Sequence, residues 1–302
     1  MGRTTDLELR GVFTALVTPF RNDGSVDFDA LARLAVWQAD SGVAGLAPCG
    51  TTGEGATLTD DEHGRVIEAV VRAVRSRVPV VAGCGTNDTA RTVAAARRAA
   101  DAGADALLVV SPYYNKPNHS GMLAHYRTVA AATPLPVVVY NVPGRTGQNL
   151  GASWILELAE IDGVVAVKEA AADLEQMARI LAARPNGFAV LSGDDGLALP
   201  AVALGADGVV SVVSNEAPAQ TADMIRFALD GTLDSARELH YRLLPLMRAN
   251  FAESNPVPVK TALEILGRCS GRVRAPLGPP AESTREAVAA ALEAAALESV
   301  RR

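Results

Sequence analysis

Val164-Val165-Ala166-Val167-Lys168-Glu169 is an apolar, Val-rich run that stops on two charged residues. Such a run, bounded by Gly163 on one side and charge on the other, reads as a strand buried on both faces of a parallel sheet. The same signature recurs on either side of it, at Val12–Val17, Val43–Pro48, Val78–Gly83, Ala106–Ser111, Leu135–Tyr140, Phe188–Ser192 and Gly208–Val213. Amphipathic stretches separate the runs. Thr59-Asp60-Asp61-Glu62 has the spacing of a capping box, and Val66, Ile67, Val70, Val71 and Val74 follow at helical period. Asn87–Ala102, Leu174–Ala182 and Leu197–Leu204 fill later crossovers. Eight β–α units predict an α/β fold, a closed (β/α)8 TIM barrel over residues 1–230. A doubly wound open sheet would carry a Gly-rich turn after its first strand, and Thr18-Pro19-Phe20 stands there instead. Further helical patterns at 217–230, 233–251, 257–266 and 283–299 place a C-terminal helical appendix over residues 231–302.

The bulk composition excludes several classes of function. A net charge of −6 argues against nucleic acid, which calls for a basic face. No stretch approaches the roughly 20 uncharged apolar residues of a membrane span. Residues 1–10 lack the apolar segment of a secretory signal, so the chain reads as soluble and cytoplasmic. Cys49, Cys84 and Cys269 form no C-x-x-C pair and read as small buried hydrophobes. His63, His119, His125 and His240 lie far apart, so no metal site is expected.

Of 28 basic residues, only Lys116, Lys168 and Lys260 are lysine. Arginine serves wherever a generic positive charge suffices, which singles out three positions for chemistry that arginine cannot do. Lys168 is the sharpest of them. At the end of a buried strand an ammonium is costly, and desolvation favours the neutral, nucleophilic amine. A strand-end lysine that snorkels to solvent would look the same in isolation. The scarcity of lysine elsewhere tips the reading towards imine formation.

In such barrels the active site lies at the C-terminal ends of the strands. The second run ends in Gly50-Thr51-Thr52-Gly53, two hydroxyls and a row of backbone N–H groups suited to a small carboxylate. The fifth ends in Tyr140, a phenol able to pass protons, with Arg145 five residues on to grip a carboxylate. Ser192-Gly193-Asp194-Asp195 closes the seventh, and its aspartates are expected to cap the next helix and brace the loop.

These motifs, in order from Thr14-Ala15-Leu16-Val17-Thr18-Pro19-Phe20 to Asn255-Pro256-Val257-Pro258-Val259-Lys260, resemble the dihydrodipicolinate synthase (4-hydroxy-tetrahydrodipicolinate synthase) family. That family sits among the pyruvate-dependent class I aldolases that include N-acetylneuraminate lyase. The resemblance implies Lys168 as Schiff-base lysine and Tyr140 as proton relay. It implies Thr51 bonding between Tyr140 and Tyr114, with Tyr114 reaching into a neighbouring subunit. Thr52, the backbone around Val210 and Gly193 would hold pyruvate, and Arg145 the carboxylate of L-aspartate-4-semialdehyde. No cofactor is implied, because the lysine is itself the electron sink, and a homotetramer built from tight dimers is implied. Lys260 has no catalytic counterpart and is assigned to packing at a helix start. Lysine-inhibited members bind the effector with a cluster matched here by Gly55, Ala56, Asp60, His63, Asn87, Arg91 and Tyr113. Arg91 replaces a glutamate of that cluster, which implies weak or absent inhibition by lysine. Other readings remain: a related aldolase acting on a sugar acid or 4-hydroxy-2-oxo acid, a metal-dependent aldolase, and a barrel that binds a metabolite without turnover.

Overall fold

A computed structural model describes residues 7–297. Strands and helices alternate along the chain: β1 (Gly11–Thr14), α1 (Phe28–Asp40), β2 (Gly45–Leu46), α2 (Asp60–Val74), β3 (Val81–Gly83), α3 (Thr89–Asp101), β4 (Ala106–Val110) and α4 (His119–Ala131). They continue with β5 (Val137–Asn141), the short α5 (Pro143–Thr146), α6 (Ala152–Ala159), β6 (Val164–Glu169), α7 (Leu174–Ala183), β7 (Ala189–Ser192), α8 (Ala198–Ala203) and β8 (Gly208–Ser211). The chain then runs through α9 (Pro218–Leu229), α10 (Leu233–Ala249), α11 (Val257–Ile265) and α12 (Glu282–Ala294). The last helix, expected over 283–299, ends at Ala294 with Ala295 as its C-cap, and the expected residues 298–299 lie outside the described residues.

All the strand pairs are parallel, in the order β2-β1-β8-β7-β6-β5-β4-β3. A parallel bridge between Leu46 and Val80 joins the two ends, so the barrel closes. Each of the eight apolar runs coincides with one strand; several strands are shorter than their runs, while β1 starts one residue early at Gly11 and β5 ends one residue late at Asn141. Pro79 has no N–H to give to a ladder, and β3 begins only after it; Pro48 lies likewise beyond the end of β2.

Alternation along each strand sorts side chains into two cores. Phe13, Val81, Leu108, Val138, Tyr140, Ala166, Leu191 and Val210 form a cluster inside the barrel. Val109, Val139, Val167 and Val209 face the surrounding helices in a larger cluster. That outer cluster also takes in Leu243, Leu246, Val259, Leu263, Val288 and Leu292, so α10, α11 and α12 share its packing. Asp27, Thr59, Asp88, Asn118 and Asp173 cap α1, α2, α3, α4 and α7 with their side chains. Thr59 and Glu62 make the reciprocal capping box of α2, and Asp88 accepts from the N–H of Arg91 at 3.0 Å. Capping by Asp88 starts α3 at Thr89, two residues after the expected Asn87.

Candidate active site

At the C-terminal end of the barrel the strands present their last residues to one rim. Tyr140 and Lys168 are register partners on β5 and β6, and both point inward. Lys168 is 5% exposed, with its Nζ 4.2 Å from the centroid of the Tyr140 ring. Among the described residues it has no carboxylate within ion-pair distance. The next residue, Glu169, points the other way. Its buried carboxylate accepts from Asn141 Nδ2 at 3.0 Å, the Ala171 N–H at 2.8 Å and Gln176 Nε2 at 3.1 Å. Burial pushes the Glu169 pKa up against these donors. The network anchors the end of β6 from outside and so fixes where Lys168 emerges within.

Gly193, just beyond β7, lies directly against the Lys168 stem. A Cβ there would stand 3.0 Å from Lys168 Cε and 2.6 Å from Ala170 Cβ, so only glycine leaves the lysine where it is. Its N–H donates to Glu169 O at 2.7 Å. Val210, on β8, is buried within the barrel. Beyond it, Asp195 Oδ2 accepts the N–H groups of Val212 and Val213 at 2.9 and 2.8 Å. The expectation that both aspartates cap the following helix is therefore met differently. Asp194 Oδ1 accepts the Leu197 N–H at 3.2 Å, next to α8, whereas Asp195 turns inward and ties the β7 loop to the end of β8.

Thr51, Tyr140 and Arg145 line a cavity of about 870 Å³. Among the described residues, neither the Thr51 hydroxyl nor the Tyr140 phenol has a hydrogen-bond partner. Tyr114 stands apart from them: it is 89% exposed on the loop after β4, with a left-handed φ of 70°. Thr52 is buried, and its Oγ1 accepts from Asn255 Nδ2 at 2.9 Å. The carbonyl of Asn255 accepts from Arg145 Nη2 at 3.2 Å. One residue of the C-terminal region thus touches both the Thr-Thr turn and the arginine loop. Asn255 carried no role in the sequence reading, because nothing local marks a partner 203 positions away.

Lys260 corrects that reading too. It lies in the first turn of α11 but does more than pack, forming a buried ion pair with Glu54 at 2.6 Å. The same cavity extends past Cys49 and Cys84 to the seven positions matched to the effector cluster, Arg91 included. Arg91 is exposed and makes no ion pair among the described residues. Burial raises both thiols, Cys84 to about 12. No group of three or more His, Cys, Asp or Glu among the described residues could hold a metal ion. No helix among them is long and apolar enough to cross a membrane.

A barrel with this rim has many relatives. The chain is 52% identical over 271 residues to a 4-hydroxy-tetrahydrodipicolinate synthase of Methanothrix thermoacetophila, covering 89% of this chain and 91% of that one. In structure it is similar to a chloride-inhibited dihydrodipicolinate synthase from Acinetobacter baumannii complexed with pyruvate. There the TM-score is 0.94 at 39% identity, over 96% of this chain and 100% of the other. It is equally similar to a lysine-bound enzyme from Cyanidioschyzon merolae, with a TM-score of 0.93 at 42% identity over 95% and 98% of the two chains. The model of the dihydrodipicolinate synthetase family matches residues 8–295. Fold and relatives agree, and the chain belongs to the dihydrodipicolinate synthetase family.

Proposed function

We infer that the chain condenses pyruvate with L-aspartate-4-semialdehyde to 4-hydroxy-tetrahydrodipicolinate, a step of lysine and diaminopimelate biosynthesis, through a Schiff base on Lys168. The observation that carries this is a buried lysine, unpaired by any carboxylate among the described residues, whose amine lies against a phenol at the barrel rim. The Lys168 amine attacks the pyruvate ketone; water leaves, and the imine's enamine tautomer is a carbon nucleophile. That carbon adds to the aldehyde. The substrate amine then attacks the imine carbon, expels Lys168 and closes the ring.

In this reading Tyr140 moves protons during imine formation and release, with Thr51 as its neighbour in the relay. Thr52, Gly193 and the backbone at Val210 hold pyruvate, and Arg145 grips the carboxylate of the semialdehyde in bidentate fashion. Tyr114, exposed on its loop, completes the relay from a neighbouring subunit, so the working form is a homotetramer of tight dimers in the cytoplasm. Residues 1–230 are the catalytic barrel, and residues 231–302 brace its loops. The exposed Arg91 guanidinium repels the ammonium of lysine and leaves the enzyme insensitive to it.

The test is intact-mass spectrometry after pyruvate and sodium borohydride, with peptide mapping. A single reduced pyruvate on Lys168 is expected, and an adduct on Lys116 or Lys260, or none, overturns the mechanism. Product formed with aspartate semialdehyde, and not with sugar acids, identifies the acceptor.

A further inference from the structure

Lys260 is wholly buried, and no step of the reaction needs it. Its ammonium donates to Glu54 Oε1 at 2.6 Å and to the Thr18 carbonyl at 2.8 Å, and lies 4.1 Å from the centroid of the Phe20 ring. Glu54 Oε2 accepts the Arg274 N–H at 2.9 Å. Burial draws the Lys260 pKa down while Glu54 opposes it. Burying two charges costs about as much as their attraction returns, and apolar residues of similar volume often serve stability as well. The purpose of the pair is better sought in what it holds in place.

What it holds is the turn Gly50-Thr51-Thr52-Gly53. Glu54 follows that turn directly and sits at a left-handed φ of 52°, a conformation that residues other than glycine adopt only at a cost. Gly53 and Gly55, on either side, press on the backbone of Cys49. A Cβ would stand 2.8 Å from Cys49 N at the first and 2.2 Å from Cys49 O at the second. Thr18, whose carbonyl receives Lys260, donates its own hydroxyl to Gly53 O at 2.6 Å. The turn is thus clamped between the Cys49 backbone on one side and Thr18, Lys260 and Glu54 on the other.

We propose that the Lys260–Glu54 pair is a positioning device for the first substrate. It sets the Thr51–Thr52 turn so that its N–H groups and hydroxyls meet the carboxylate of a short 2-oxo acid. Lys260 acts through the turn and does not touch the substrate. The inference rests on the reading that puts the pyruvate carboxylate at this turn. A displaced turn weakens capture of the keto acid and leaves imine chemistry on Lys168 intact once the site is filled. A purely structural lysine would behave otherwise, lowering the folded fraction and hence kcat, with KM unchanged.

The experiment compares Lys260→Met, the double variant Lys260→Met with Glu54→Gln, and Thr18→Val, which removes only the hydroxyl that holds Gly53. Pyruvate KM and kcat are measured beside the pyruvate concentration that half-saturates borohydride trapping on Lys168, with no aldehyde present. Lys260→Met should raise both KM and half-saturation about tenfold or more, the scale of a small misplacement, with kcat within about threefold. The double variant should recover thermal stability and keep the raised KM, because neither charge is then left unpaired. Thr18→Val should shift KM the same way by less, and it decides the matter if the lysine variants do not fold. Unchanged KM and half-saturation in the folded variants would overturn the inference while leaving the Schiff base standing. Absence of trapping in the unaltered enzyme would instead overturn the mechanism beneath it.

Discussion

Lys168 and Lys260 are both buried, and their surroundings differ in one respect that governs what each can do. Lys260 has a carboxylate at 2.6 Å and a carbonyl at 2.8 Å, so its proton is engaged on two sides. Lys168 has neither among the described residues, only the face of Tyr140 and the bare backbone of Gly193. Pairing holds the Lys260 ammonium in place, and the lysine without such a partner is the one proposed to attack carbon. About 90 positions apart in one chain, the same residue type is held by a buried ion pair at Lys260 and left without one at Lys168, where we propose the imine forms.

The comparison breaks most visibly at Lys168. Lys168→Ala should lower turnover by at least about three orders of magnitude, as loss of a nucleophile does, with little change in thermal midpoint. Steady-state kinetics beside a melting curve checks this, and a large drop in stability would mean that Lys168 is paired after all. For Lys260 the order reverses. Lys260→Met strands the Glu54 carboxylate and should cost about 3–5 kcal/mol in denaturant unfolding, most of it returning when Glu54→Gln is added. Gly193→Ala comes next: a methyl 3.0 Å from Lys168 Cε should cut turnover roughly a hundredfold by moving the amine. If the variant keeps full activity, the packing against Lys168 does not constrain it.

A smaller effect follows from pH. Hydrogen bonds from the Arg274 guanidinium, at 2.5 and 2.7 Å, hold Glu62 down to about 2. A carboxyl depressed in the folded state adds stability that is complete above its unfolded value, near 4.5, and is lost as pH falls towards 2. The thermal midpoint of Arg274→Leu should therefore vary less with pH across that interval than that of the unaltered chain. The smallest effect is a near-zero one. Millimolar L-lysine should leave the initial rate almost unchanged, and Arg91→Glu should make the enzyme sensitive.

The barrel was legible because each strand is a local event. Val-rich runs between Gly, Pro and charge mark β5 and β6 without reference to any other part of the chain. Lys168 stood out for a compositional reason, being one of three lysines in a chain that otherwise uses arginine, and its burial at a strand end followed from the run before it. The contacts of Asn255 and Lys260 were not legible, since their partners Thr52 and Glu54 lie 203 and 206 positions away and no periodicity links them. Asp195 braces its loop as expected but does not cap the helix, for a related reason. Its place before a helix suggests a cap, but the unpaired N–H groups of Val212 and Val213 compete for the same carboxylate and win.

The ties from Asn255 to Thr52, from Lys260 to Glu54 and from Arg274 to Glu54 set an order of events during synthesis. The ribosome makes the Thr-Thr turn about 200 residues before the three residues that tie it. Loop closures of this length are slow relative to local helix formation. The turn therefore stays without these three ties until residues 255, 260 and 274 have been made.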